Sequence, residues 1–176
     1  MKILHYALIF ISALALTALS GCKSLKTPPT AEQIAAHQTA LDVLRAKAFQ
    51  VKADRLTVQN QSIPGALEST NFVNVLGDKA IVQVSPGMSG GPNGLGGFTV
   101  RGTVTGYNMT TKSNGETRVE YHVSATVGPC DVTIVLSPRS ADATVFVNNS
   151  FRNLKATIYG EVEPLDDSFN KGYTPF

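Results

Sequence analysis

From residue 49 onward, apolar side chains recur at every second position, and this period of two constrains the fold more than any other feature of the chain. In the clearest run, Val119, Tyr121 and Val123 alternate with polar residues. Such alternation is typical of strands that have one face in a core and the other in solvent. The alternating runs are 49–53, 56–58, 80–84, 98–104, 119–127, 130–136, 143–147 and 154–162. We therefore predict a mainly β protein with about eight mostly antiparallel strands, which form a small barrel or a sandwich.

Two local signals refine this prediction. The alternation changes phase between Ala53 and Leu56, which indicates a β-bulge near Arg55. The dipeptide Asn114-Gly115 lies between two alternating runs, and this arrangement is typical of a β-hairpin.

One helix is predicted before the strands, over residues 30–47. Thr30 and Gln33 have the spacing of a capping box, which marks the start of a helix. The apolar stripe behind it consists of Ile34, Leu41, Leu44 and Ala48. A stripe this narrow does not hold an isolated helix in water, so we expect the helix to dock against the sheet.

The N-terminal segment is typical of an export signal. Lys2 precedes an apolar run that is shorter than the roughly 18 residues of a permanent membrane helix. The run is followed by Leu19-Ser20-Gly21-Cys22, which resembles the lipobox of bacterial lipoproteins. That resemblance implies cleavage before Cys22 and acylation of this cysteine. The alternative is an ordinary exported protein in which Cys22 is a free or paired thiol.

This reading divides the chain into four parts. Residues 1–21 form the signal peptide, 22–29 a tether, 30–163 a single helix-plus-β domain, and 164–176 a C-terminal tail that drapes or frays. No acidic run follows Cys22, which favours anchoring in the outer membrane.

Composition narrows the classes of partner. The 176 residues include 15 basic and 13 acidic side chains, so the formal charge of +2 argues against nucleic-acid binding. Of the two cysteines, acylation of Cys22 leaves Cys130 without a partner in the chain. Cys130 falls on the apolar side of its strand, where a small buried side chain is expected.

A glycine-rich segment is the candidate binding site. Gly87-Met88-Ser89-Gly90-Gly91-Pro92 matches the pattern around the serine of chymotrypsin-like proteases and that of a nucleophile elbow. An elbow requires a helix after the serine, whereas further glycines and a strand follow here, so we interpret the segment as a loop. The candidate binding loop comprises Gly87, Ser89, Gly90, Gly91, Gly94, Gly96 and Gly97.

The function expected from these residues is that of a non-enzymatic binding or structural module. Its partners are the membrane, through acyl chains on Cys22, and an unidentified envelope protein or small ligand. No spacing of His, Cys and carboxylates indicates a metal or cofactor site. The alternative is a hydrolase that uses Ser89 or Cys130, which requires His37 or His122 within hydrogen-bonding distance.

The order of features resembles the family catalogued as domain of unknown function 4251. The similar stretch runs from about residue 44 to 162 and includes "AKAFQVKADR" at 46–55, the glycine-rich centre and "YGEV" at 159–162. The resemblance implies a small exported lipoprotein of a Gram-negative gut bacterium. The segment "SPGMSGGPNGLGG" lacks the aromatic residues of the family, and the family has no assigned activity that would indicate catalytic residues.

Overall fold

The computed structural model describes residues 28–66, 68–85, 97–126 and 128–165. It begins with one helix, α1 (Ala31–Ala46). The capping box is present, because the Thr30 hydroxyl accepts a hydrogen bond from the Gln33 amide at 3.2 Å and the Gln33 side chain accepts one from the Thr30 amide at 2.9 Å. The helix ends at Lys47, which has a left-handed backbone (φ 52°). The predicted helix is confirmed.

Two members of the predicted apolar stripe are wrong, Ile34 because it is exposed and Ala48 because it follows the helix as the first residue of a strand. The side chains that α1 buries completely are Ala40 and Leu44, whereas Ile34 is 56% exposed. Burial begins only at Ala36, because the first turn extends beyond the surface that the rest of the helix contacts.

In the part of the chain that the structure describes, ten strands follow the helix. They are β1 (Ala48–Lys52), β2 (Arg55–Val58), β3 (Gln61–Ile63), β4 (Phe72–Leu76), β5 (Lys79–Val84), β6 (Phe98–Thr111), β7 (Thr117–Ser124), β8 (Cys130–Leu136), β9 (Asp142–Asn149) and β10 (Leu154–Pro164). Within the described connections, two single-turn 3₁₀ helices lie at Glu68–Thr70 and Ser150–Arg152.

The strands form a closed antiparallel barrel. Strands β4 to β10 pair with their neighbours in chain order, and β1 pairs with β4 on one side and with β10 on the other. The barrel therefore has eight strands, and β2 and β3 extend from β10 as a hairpin. The predicted fold class is confirmed, and of its two forms the structure is the barrel.

The bulge predicted near Arg55 is confirmed. Strands β1 and β2 lie end to end against β10, and between their paired regions the three residues 52–54 face only the two residues 160–161. At this point the Lys52 carbonyl oxygen lies 1.9 Å from the place where a Cβ on Gly160 would be. Only glycine fits there without moving the backbone.

A second bulge interrupts β6. Thr105 is opposite His122 and Asn108 is opposite Glu120, so Gly106 and Tyr107 together face one residue of β7. Gly106 has a φ of +64°, as expected of the first residue of a glycine bulge. The extra residue shifts the alternation, and Tyr107 consequently points into the barrel.

Helix α1 closes one end of the barrel. The Tyr107 hydroxyl donates a hydrogen bond to the Leu44 carbonyl at 2.7 Å, and the Lys47 ammonium lies 4.8 Å from the centre of the same ring. At the other side of this end, a His37 ring nitrogen is 3.0 Å from the Ser140 carbonyl. The connection between β5 and β6 starts and ends at the opposite end. Within the described ranges, no helix combines the length and the apolar character needed to cross a membrane.

Candidate functional site

The candidate binding loop connects β5 to β6 at the barrel end opposite α1. Residues 86–96, and with them all of the candidate loop glycines except Gly97, lie outside the described residues, as does Ser89. Gly97 itself is exposed, and a Cβ on it would lie 2.3 Å from the Val84 carbonyl oxygen. The chain therefore re-enters the barrel at a place that admits only glycine.

A buried asparagine holds the start of this connection. The Asn71 side chain is completely buried, and its Oδ1 accepts a hydrogen bond from the Ser85 amide at 2.7 Å. The Asn71 carbonyl accepts a second one from the Ala53 amide at 2.9 Å. Asn71 thus ties the last described residue before the connection to the corner between β1 and β2, which gives the connection a fixed base.

A second buried asparagine organises the same end. Asn149 donates from Nδ2 to the Gly128 carbonyl at 3.2 Å and accepts from the Arg152 amide at 3.0 Å. Gly128 has a φ of +71°, and a Cβ on it would lie 3.3 Å from Asn149 Nδ2. The connections β7–β8 and β9–β10 are therefore joined to each other beside the glycine-rich connection.

Two tyrosines stack inside the barrel at the β6 bulge. The ring centroids of Tyr107 and Tyr121 are 5.6 Å apart. The Tyr121 hydroxyl is buried and has no hydrogen-bond partner in the part of the chain that the structure describes. Burial raises the pKa of both phenols, and for Tyr121 the nearby Tyr107 and Cys130 add to the increase. Two other aromatic residues, Phe146 and Tyr159, lie on the outer wall instead.

Cys130 is an inward-facing, buried thiol with an exposed fraction of 1%. Burial raises its pKa to about 12, and the carboxylate of Asp131 adds to the increase. Cys130 is opposite Val123, whereas His122 is opposite Asp131, so the thiol and the imidazole lie on different faces of the sheet. This geometry supplies neither a thiolate at neutral pH nor an adjacent base.

The outer wall carries the pair His122 and Asp131. A ring nitrogen of His122 is 2.8 Å from the Asp131 carboxylate; His122 is half-buried and Asp131 is exposed. Beside them a shallow groove of about 350 Å³ follows the β6 bulge, and Thr105, Glu120 and Thr133 contribute to its lining. Among the described residues, no group of three or more His, Cys, Asp or Glu side chains is placed to hold a metal ion.

Comparison with known proteins identifies the family. The model of the family described as "Domain of unknown function (DUF4251)" matches residues 31–162, which is three quarters of the chain. This chain belongs to the DUF4251 family.

A solved structure agrees with this assignment. The crystal structure of a DUF4251 family protein from Bacteroides eggerthii DSM 20697 is similar, with a TM-score of 0.68 and 28% sequence identity. The match covers 82% of this chain and 99% of the other. No curated protein matches the chain. The family resemblance inferred from the sequence is confirmed, and the matched DUF4251 region extends from α1 to β10.

The residues that fix the loop end of the DUF4251 barrel were not predictable from the sequence. Asn71 directly precedes β4 and Asn149 is the last residue of β9, and polar residues at the ends of strands are usually solvated. Nothing in their local sequence distinguishes a buried asparagine from an exposed one. The Cys22 position also lies outside the described residues.

Proposed function

We propose that this DUF4251 protein is a lipid-anchored protein of the bacterial cell envelope, held in the outer membrane, whose barrel is a non-enzymatic binding module. Its partner is an envelope protein or a small ligand and not a nucleic acid, consistent with a formal charge of only +2. The binding region we propose is the barrel end that carries the glycine-rich connection.

The observation that carries this proposal is the asymmetry of the two barrel ends. Helix α1, which directly follows the tether, closes one end through the Tyr107 and His37 contacts. The opposite end carries a connection whose two ends are fixed, by Asn71 at Ser85 and by the close approach of Gly97 to Val84. A long loop on a rigid base is a common form of binding surface.

The anchor is supported by the tetrapeptide Leu19-Ser20-Gly21-Cys22 at the end of an apolar run. Each buried CH₂ of an acyl chain contributes about 0.8 kcal/mol to membrane binding, so two or more chains hold a protein stably. Residues 23–29 reach about 25 Å when extended. Because the tether joins the chain just before Ala31, we propose that the α1 end lies towards the membrane and the loop end away from it.

The non-enzymatic role is supported by the environment of Cys130. The thiol is buried with a raised pKa, and His122 lies on the other face of the sheet. His37, the other histidine considered as a base, contacts the Ser140 carbonyl at the α1 end, far along the barrel from the connection that contains Ser89. These positions favour binding over hydrolysis.

The test is recovery of partners from native envelopes with the acylated protein as bait. One variant replaces residues 87–96 with a short Gly-Ser linker, and a second carries Cys22→Ala. We expect a specific protein or small ligand to accompany the wild type, detected by mass spectrometry, and to be lost from the linker variant while its thermal midpoint is unchanged. Equal recovery with the linker variant would place binding elsewhere and contradict the proposal.

A further inference from the structure

The outer wall formed by β8, β9 and β10 has an exposed aromatic side chain at its centre. Phe146 points outward from the middle of β9 and is 46% exposed. It is directly opposite Thr133 of β8 and Thr157 of β10, which are half-buried. Because short side chains flank the ring on both sides, the ring stands out from the wall and is accessible to a partner.

Two further rows lie on the same wall, and each contains one outward-facing residue from every one of the three strands. The row towards the α1 end consists of Val135, Thr144 and Tyr159. The row towards the loop end consists of Asp131, Asn148 and Lys155. These two rows and the row of Phe146 together form a surface that we call the β9 face.

The β9 face is charged at one height only, and its two signs of charge lie on opposite sides of β9. Asp131 on β8 and Lys155 on β10 are both exposed. Asp131 is paired with His122, whereas Lys155 has no ion-pair partner among the described residues. The two strands are about 10 Å apart, because β9 lies between them. The carboxylate and the ammonium are therefore too far apart to pair within one chain, and both are available to a partner.

We propose that the β9 face is the contact surface between two copies of this chain, which pack face to face about a two-fold axis parallel to β9. Rotation about this axis exchanges the β8 side with the β10 side and keeps every residue at its height along the strand. Asp131 of each copy then meets Lys155 of the other, and Val135 meets Tyr159. Phe146 meets its own counterpart on the axis. The face is thus complementary to itself in charge and in apolar character, which favours a second copy as the partner.

A two-fold axis perpendicular to β9 in the plane of the contact matches these groups poorly. It places Asp131 of one copy against Val135 of the other, where the carboxylate has no cation. It also sets the α1 end of one copy beside the loop end of the other. The parallel axis instead leaves both α1 ends on the same side, so two tethers can reach one membrane, although the contact itself does not require the anchor.

The strands that flank the β9 face are compatible with this arrangement. Arg118 of β7 and Arg55 of β2 lie at the same height on its two edges, so the rotation brings them to the same side. Each has a partner in its own chain, because Arg118 donates to Glu120 at 2.8 Å and the Arg55 guanidinium lies 3.9 Å from the centre of the Tyr159 ring. The curvature of the barrel also turns both strands away from the contact plane.

The size of the β9 face predicts a weak contact. Neighbouring strands are about 4.8 Å apart and side chains on one face of a strand about 6.8 Å apart, so the nine residues cover about 300 Å². Stable dimers in solution usually bury about 800 Å² per partner. We therefore expect the dimer to exchange with the monomer, and a covalent crosslink is the suitable way to detect it.

The test is cysteine crosslinking of the purified full-length protein in a Cys130→Ala background. The residues of β9 lie beside the axis, so a cysteine at position 144 meets the same position of the second copy. We expect Thr144→Cys to form a covalent dimer with a short bis-maleimide at high protein concentration. Gln83→Cys is the matched control, because Gln83 is also outward-facing and half-buried but lies on β5, on the opposite side of the barrel. It should remain monomeric, as should the background alone, which would reveal any crosslink through Cys22.

Exchange of the charges tests the pairing itself. In the Thr144→Cys chain, Lys155→Glu alone or Asp131→Lys alone places like charges against each other across the contact. We expect either variant to lower the crosslinked fraction at least about fivefold at an unchanged thermal midpoint. A one-to-one mixture of the two variants forms both ion pairs again and should recover the crosslink.

Several results would overturn the proposal. They are the absence of a crosslink in Thr144→Cys, an equal crosslink in Gln83→Cys, and a crosslink that both charge variants leave unchanged. A crosslink that forms only when Thr144→Cys is mixed with Asn148→Cys would indicate the perpendicular axis and contradict the arrangement. In intact cells, a crosslink of Thr144→Cys to a different protein in place of a second copy would contradict it as well. All of these results are independent of lipid anchoring and of binding at the loop end.

Discussion

At the scale of single residues, Gly160 shows how one position makes the barrel possible. It lies in the bulge where β1 passes β10, and the Lys52 carbonyl oxygen occupies the space of its missing Cβ. Both β1 and β2 pair with β10, and the bulge lies between them. The extra residue in the bulge lets the apolar side chains of both strands face the core, although the alternation shifts by one residue.

Replacing this glycine tests the account of the bulge. We expect Gly160→Ala to lower the free energy of unfolding by about 3 kcal/mol, because the Lys52 carbonyl has to move. The control is Gly77→Ala, which has a positive φ but no atom within 4 Å of the added Cβ, and it should cost only about 1 kcal/mol. The measurement is urea denaturation, and equal losses in the two variants would be inconsistent with a steric role for Gly160.

Cys130 predicts a pH dependence of stability. Its pKa is raised from 9.0 to about 12 in the folded chain. A raised pKa contributes stability that is present below pH 9 and is lost as the pH rises towards 12, because the unfolded chain releases its proton first. Between pH 9 and pH 10, we expect the free energy of unfolding of Cys130→Ala to fall by about 1 kcal/mol less than that of the wild type. Denaturation at both pH values measures this, and parallel losses would show that Cys130 is not shielded in this way.

At the scale of elements, the docking of α1 depends on the hydroxyl of Tyr107, whereas the hydroxyl of the stacked Tyr121 makes no described hydrogen bond. Tyr107 donates to the Leu44 carbonyl, whereas the buried hydroxyl of Tyr121 has no described partner. We expect Tyr107→Phe to destabilise the protein by about 1 kcal/mol and Tyr121→Phe to be neutral or stabilising. Thermal denaturation of both variants compares them, and a greater loss for Tyr121→Phe would contradict the hydrogen-bonding scheme.

Elements with a strong local signal were predictable from sequence. The capping box marked α1, and the hairpin between β6 and β7 followed from Asn114-Gly115. Strand β4 was missed, because it has only five residues and its outward-facing Phe72 and Leu76 are apolar, which obscures the alternation. Ile34 was misassigned, since the length of a stripe does not reveal how far the surface beneath it extends.

At the scale of the whole molecule, closure of the barrel was the property that the sequence left open. A barrel and a sandwich contain the same alternating strands, and they differ in whether the first and last strands pair. Here β1 and β10, separated by about a hundred residues, form that seam. The candidate site was only partly predictable, because it also depends on contacts between residues that are distant in sequence. The folded barrel brings Asn71 to Ser85.

The claim that most defines this protein's role is that Cys22 carries the lipid that holds the barrel at a membrane. The decisive measurement is metabolic labelling with radioactive palmitate, combined with membrane fractionation, for the wild type, Cys22→Ala and Cys130→Ala. We expect Cys22→Ala to lose the label and to leave the membrane fraction, while Cys130→Ala, the variant of the other cysteine, retains both. Label and membrane association that persist in Cys22→Ala would contradict it.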